Sequence, residues 1–119
     1  MRLDPCPSSP NCVCSQDDPS DSQHYIEPLE YDGPAETAVN AIASVIESST
    51  GAVISSRTVD RVDAVFTTRF FRFKDDVSFL VDTETKKIHF RSASRVGKSD
   101  LGANRKRLSA LLPKIKAKL

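Results

Sequence analysis

The sequence predicts an α+β fold. It reads as a two-layer sandwich in which a four-stranded antiparallel meander sheet carries two helices on one face, in the order α-β-β-β-β-α, after an irregular N-terminal strap. Three observations predict it. Residues 34–49 place apolar side chains at three- and four-residue spacing, the period of one helix face. Residues 52–94 alternate apolar and polar side chains with short polar breaks, the period of half-buried strands. The final stretch, from about Asp100, returns to helical spacing.

The 119 residues suffice for one core and not for two. Apolar residues at 39% and charged residues at 28% are ordinary for a soluble domain. No apolar run reaches membrane-spanning length, and Met1-Arg-Leu-Asp-Pro leads into polar sequence without a signal-peptide pattern. The compartment stays unassigned. The net charge of +1 conceals an asymmetry: residues 1–50 hold one basic and nine acidic residues, whereas Asp100 is the only acidic residue from Arg91 onward, against nine basic ones. Such a division suits an acidic segment lying against a basic face, or a basic surface that meets an acidic partner.

Residues 1–33, rich in Pro, Ser and Asp, are expected to pack as an irregular segment on a domain spanning 34–119. Asp32-Gly33-Pro34 then announces a helix, since Asp32 or Gly33 can cap and Pro34 suits a first helical position. Ala38, Val39, Ile42, Val45 and Ile46 form its apolar face, and Gly51 is a stop. The four strands are expected over Ala52–Thr58, Asp63–Phe73, Val77–Asp82 and Lys87–Ser94. Short connections between them imply the meander. Phe66, Phe70, Val77, Phe79, Val81, Ile88 and Phe90 should face the helices. Val65, Thr67, Arg69, Ser78, Leu80, His89 and Arg91 should form the other face, either covered by the strap or left for binding. The last helix starts near Asp100, with Leu101, Leu108, Leu111, Leu112, Ile115 and Leu119 as its stripe. Pro113 should kink it or end its regular part.

The chemistry-bearing residues gather where the fourth strand meets the last helix. Helix starts expose N–H donors and attract anions. Arg91, Arg95 and Arg105 offer planar forks that match carboxylate or phosphate, Ser92, Ser94 and Ser99 offer hydroxyls, and Asn104 can bond the loop. This set reads as a site for a small anion or an acidic group on a partner. Asp75, Asp76 and Asp100 support a different reading of the same arginines, an internal network in which Asp75 and Asp76 partner Arg105. No phosphate loop, nucleophile elbow or histidine metal triad is present, so neither a cofactor nor a metal is expected and no catalytic residue is assigned. Nucleic acid is disfavoured, because Trp is absent and no RNA-binding aromatic signature occurs. A monomer is expected. Cys6, Cys12 and Cys14 leave three alternatives open: a Cys6–Cys12 disulfide, a zinc site with His24, and free thiols.

Three motifs carry a family resemblance: Cys6-Pro-Ser-Ser-Pro-Asn-Cys12, Phe73-Lys-Asp-Asp76, and the run from Arg91 through Ser94-Arg95-Val96-Gly97 to Arg107. Together, over about Cys6 to Leu112, the chain resembles domain-of-unknown-function family 1499. That name implies no activity. Relatives resemble this chain at Cys6 and Cys12 but usually carry Ser in place of Cys14, which implies a Cys6–Cys12 relation with Cys14 as an extra. Some relatives carry export or plastid-targeting extensions. The leading expectation is a non-enzymatic binding module with its site at the Arg91–Arg105 loop. The alternatives are an enzyme on a phosphate- or carboxylate-bearing substrate, using Ser94 or Asp76, and a structural or assembly protein.

Overall fold

The computed structural model describes residues 2–69, 72–97 and 100–119. The elements are β1 (Cys12–Cys14), β2 (Leu29–Glu30), α1 (Ala35–Glu47), β3 (Ala52–Arg57), β4 (Arg61–Thr67), β5 (Lys74–Asp82), β6 (Lys87–Ser94) and α2 (Ala103–Lys118). The fold is α+β, with an antiparallel sheet and two helices.

The meander β3-β4-β5-β6 forms as expected, but the sheet has six strands rather than four. The N-terminal segment supplies the other two. Cys12 and Cys14 pair with Ala93 and Arg91, and Leu29 pairs with Ile88, so β1 and β2 both lie on the outer edge of β6. An uncovered β6 would leave a row of unpaired N–H and C=O groups, and the strap satisfies them. Strands of three and two residues are too short to show a period, which is why the sequence pattern missed them.

Alternation along the strands decides the core. Val62, Ala64 and Phe66 of β4, Val77, Phe79 and Val81 of β5, and Ile88 and Phe90 of β6 are buried in one cluster. Val39, Ile42 and Ile46 of α1 and Leu108, Leu111 and Ile115 of α2 complete it. Val13 of β1 joins from the strap. Phe70, expected in this set, lies outside the described residues. β4 starts at Arg61 and ends at Thr67, short of the Asp63–Phe73 expected, and Arg72 turns with φ 55°. α2 continues through Pro113, whose missing donor falls on the exposed side of the helix. Leu101 does not join the α2 stripe: it precedes the helix, has φ 54° and is 86% exposed.

On the other face the strap covers part of the sheet. Leu3 and Cys14 pack on Leu80, with Cys6 beside them. Cys6 and Cys12 are joined through their sulfurs, and Cys14 is a buried free thiol whose pKa burial pushes up.

Gly51 sets the approach of β3 to β4. Its φ is +77°, and a Cβ there would sit 2.7 Å from the Thr67 carbonyl oxygen. Gly51→Ala is therefore expected to destabilise the protein by about 1–3 kcal/mol, from left-handed backbone strain plus displacement of Thr67. Urea unfolding checks this, and an unchanged midpoint would refute it.

Candidate functional site

The residues singled out in the sequence converge only in part. Asp75 on β5, Ser92 and Ser94 on β6, and Asn104 and Arg107 on α2 meet between the sheet and the start of the helix. Asn104 is wholly buried and organises them. Its Oδ1 accepts from Ser92 Oγ (2.6 Å) and Arg107 Nη1 (2.9 Å). Its Nδ2 donates to Asp100 Oδ2 (2.6 Å), Ser94 Oγ (3.0 Å) and the Asn11 carbonyl of the strap (3.1 Å). Arg107 Nη2 lies 2.7 Å from Asp75 Oδ2, and its guanidinium sits 5.0 Å from the centroid of Phe66. Asp75 is 1% exposed, so this carboxylate has exchanged water for an arginine.

The arginine pairing differs from the expectation. Arg105 does not reach Asp75 or Asp76. It donates through Nη2 to the backbone carbonyls of Ser22, Gln23 and Tyr25, and so holds the strap to α2. The expected stripe of the last helix included Leu101 along with Leu108. The helix begins only at Ala103, and the face that meets the sheet carries Asn104, Arg107, Leu108 and Leu111. That spacing of three, four and seven residues was the signal that could have found Arg107.

Asp76, next to Asp75 on an extended strand, points the opposite way. It takes a two-pronged bond from Arg95, Nε at 3.0 Å and Nη2 at 2.9 Å, with both side chains largely exposed. The Asp76 carboxylate accepting these bonds raises the pKa of Arg95 further. Arg91 leaves the group altogether, since its side chain lies on the strap face of β6 with an enclosed Nε that has no hydrogen-bond partner among the described residues. Ser99 lies outside the described residues.

Asp100 holds the seat that an anion would take at the start of α2. Its Oδ1 accepts the Gly102 N–H (2.8 Å) and its Oδ2 accepts the Asn104 N–H (3.0 Å). Burial pushes the Asp100 carboxyl up, and the Asn104 and Gly102 donors more than offset this, holding it below the usual carboxylate range. The donors of the helix start are thus engaged by the chain's own carboxylate.

Beside this network a groove of about 360 Å³ opens between the β4–β5 connection and the loop before α2. Asp75, Ser94 and Asp100 reach it from the buried side, and Phe73, Val96 and Leu101 line its rim. These three are half or more exposed, at 51%, 60% and 86%. Ser94 Oγ accepts from Asn104 Nδ2 and faces the groove.

Among the described residues one cluster, Asp17, Asp21 and His24, has the spacing of a metal site. Its histidine is already committed. His24 Nδ1 lies 2.6 Å from Asp21 Oδ2, and Nε2 lies 2.8 Å from the Ser9 carbonyl. Both partners accept hydrogen bonds, so both contacts are made in full when the ring is protonated. Asp21 and the Ser9 carbonyl raise the His24 pKa above its ordinary 6.5, and His24 in turn lowers Asp21 below 3.8. The raised histidine contributes stability in full below its unfolded pKa, and that contribution is lost as pH rises through the folded value. The depressed Asp21 contributes above 3.8 and loses its share as pH falls through its folded value. The stability difference between wild type and His24→Ala is therefore predicted to shrink as pH rises above 6.5 and through the folded histidine's raised pKa. A difference constant from about pH 5 to about pH 9 in urea unfolding would refute it.

No helix among the described residues is long and apolar enough to cross a membrane. The family model described as "Protein of unknown function (DUF1499)" matches residues 2–115. No curated protein matches the chain.

Proposed function

Because the chain belongs to the DUF1499 family, whose description assigns no activity, we propose from the site alone that it is a non-enzymatic binding module. Its ligand seat is the groove beside the arginine network, and the ligand is a small apolar molecule carrying one uncharged hydrogen-bonding group. One observation carries this reading: three exposed apolar side chains, Phe73, Val96 and Leu101, surround a floor made by Asp75 and Ser94. Exposed apolar groups gathered around a concave polar floor are the usual composition of small-molecule sites, and about 360 Å³ falls within their size range.

The charge pattern shapes the ligand. Among the described residues Asp75 and Asp100 of the groove stand against Arg107, and we read the floor as disfavouring an anionic head. Arg95, the anion receptor expected from the sequence, is turned to Asp76. Among the described residues Ser94 Oγ is bonded to the Asn104 amide and to no base, and Asp76 is on the opposite face of β5. Arg107, Asn104 and Asp100 serve as the architecture that fixes the floor.

Octanol and octanoate share a body and differ in head charge, which makes them suitable probes. Amide shifts in a nitrogen–proton correlation spectrum are expected to move at Phe73, Val96 and Leu101 on titration with octanol. Leu101→Asp, at an exposed position, should abolish the effect without unfolding the protein. Arg95→Ala should change neither binding nor the thermal midpoint, because exposed pairs add little. Preferential binding of octanoate that disappears in Arg95→Ala would overturn the proposal and restore an anion site.

A further inference from the structure

The three cysteines lie together on the strap face of the sheet. Val13 of β1 is buried in the core on the helix side, so Cys12 and Cys14, one step to either side of it, point to the opposite face. Both are wholly buried. Cys6 bridges to Cys12, yet it packs against the cluster that Cys14 forms with Leu3 and Leu80. Hydrogen bonds keep it there: the Leu3 N–H donates to Gln16 Oε1 at 2.7 Å, and the Cys6 N–H donates to Asp17 Oδ1 at 3.4 Å. Cys6 is thus held alongside residues 14–17, although its bond goes to residue 12. Cys12 and Cys14 stand about 7 Å apart along one face of an extended strand, so a short slide of Cys6 exchanges one partner for the other.

Cys14 also has the neighbour that thiol chemistry needs. It pairs in register with Arg91 of β6, whose enclosed Nε has no hydrogen-bond partner among the described residues. A cation beside a thiol favours the thiolate, the form that attacks a disulfide. Burial pushes the Cys14 thiol up and Asp17 adds to this, against the Gln16 N–H and the Arg91 charge. Leu3 and Leu80 supply the apolar walls. The thiol is therefore mostly protonated under the closed strap, and its thiolate fraction grows as pH rises.

We propose that Cys6 exchanges its bridge between Cys12 and Cys14, which gives the strap two covalently locked forms. The Cys14 thiolate attacks Cys6 Sγ. A bond forms between the sulfurs of residues 14 and 6 as the bond between those of 6 and 12 breaks, and Cys12 leaves as a thiolate that takes up a proton. The step is an isomerisation, and it consumes neither oxidant nor reductant. Its consequence reaches α2 through Asn11, the neighbour of Cys12, whose carbonyl accepts from Asn104 Nδ2 and the Ser94 N–H. With the bridge on Cys14 the closed loop lengthens from residues 6–12 to residues 6–14, and Asn11 no longer adjoins the bridge. The exchange uses none of the side chains that line the groove on the helix side, so either assignment can fail without the other.

The test locates the free thiol of the oxidised full chain over time. Samples held at several pH values are quenched with acid, unfolded and labelled with N-ethylmaleimide, and fragment masses show which cysteine carries the label. At zero time the label is expected on Cys14, and later on Cys12 in a growing fraction. The rate should rise about tenfold per pH unit while the thiolate is the minor form, and should not depend on protein concentration. Arg91→Met should slow it about fivefold. Cys12→Ser, in a glutathione redox buffer, should close a Cys6–Cys14 bridge and lose both free thiols. Label that stays on Cys14 at every pH would overturn the proposal, and this reading of the wild type stands whether or not Cys12→Ser folds. A rate proportional to protein concentration would also overturn it, by showing exchange between molecules. So would folded Cys12→Ser that keeps two free thiols, or an Arg91→Met rate equal to that of the wild type.

Discussion

Replacing Arg107 by alanine is expected to lower the unfolding free energy by about 3–5 kcal/mol, the cost of stranding a buried carboxylate. Asp75 is 1% exposed and Arg107 Nη2 is the cation 2.7 Å from it. Arg107→Ala also removes the donor to Asn104 Oδ1 and the cation over Phe66. The cost arises from the carboxylate left behind, more than from any intrinsic strength of the pair. Asp75→Leu combined with Arg107→Met should therefore recover much of it. Urea unfolding of the two single variants and the double variant checks this. A loss below about 1 kcal/mol for Arg107→Ala would show that water reaches Asp75. Arg105→Ala makes the contrast. Its partners are the carbonyls of Ser22, Gln23 and Tyr25, which can turn to solvent with the strap, so its effect should be smaller and confined to the N-terminal segment.

Asn104→Ala is expected to cost about 3 kcal/mol and, unlike most core truncations, to loosen the strap as well. The amide joins four parts of the chain: Ser92 and Ser94 on β6, Asp100 before α2, Arg107 within α2 and Asn11 in the strap. Asn11 extends the link, since Ser94 N–H also donates to its carbonyl, and its own Nδ2 donates to the Gly97 carbonyl at 2.7 Å. Alanine would leave Ser92 Oγ and Asp100 Oδ2 each short of a buried partner. Hydrogen exchange should quicken at the N–H groups of Cys14, Ser15 and Ser94 as well as in α2. Global destabilisation without faster exchange in the strap would place the amide's role within α2 and β6 alone. Asn104→Asp should be no rescue, because its second oxygen would face Asp100.

The helices and the meander were legible because each repeats a period often enough to be seen. α1 shows its face at Val39, Ile42 and Ile46, and β5 shows its own at Val77, Phe79 and Val81. The site was legible in composition but not in pairing. Asp75, Ser92, Ser94, Asp100 and Asn104 do meet, whereas Arg91 turns to the other face, Arg95 goes to exposed Asp76, and Arg105 goes to the strap. A one-residue step along a strand inverts a side chain, and a two-residue step along a helix moves it more than halfway round, so three nearby arginines can be sent to three places.

What the sequence determined by itself was the set of local preferences: two amphipathic helices, four alternating strands, a helix stop at Gly51, and a charge division between the two ends of the chain. These follow from contacts between near neighbours, whose geometry the backbone repeats. Tertiary structure decided which residues became partners. It drew β1 and β2 onto β6 because that edge needed hydrogen bonds, and chose Arg107 over Arg105 because the first turn of α2 started at Ala103. Each choice depends on distances between segments far apart in the chain, such as Asn11 and Asn104, which local spacing does not encode.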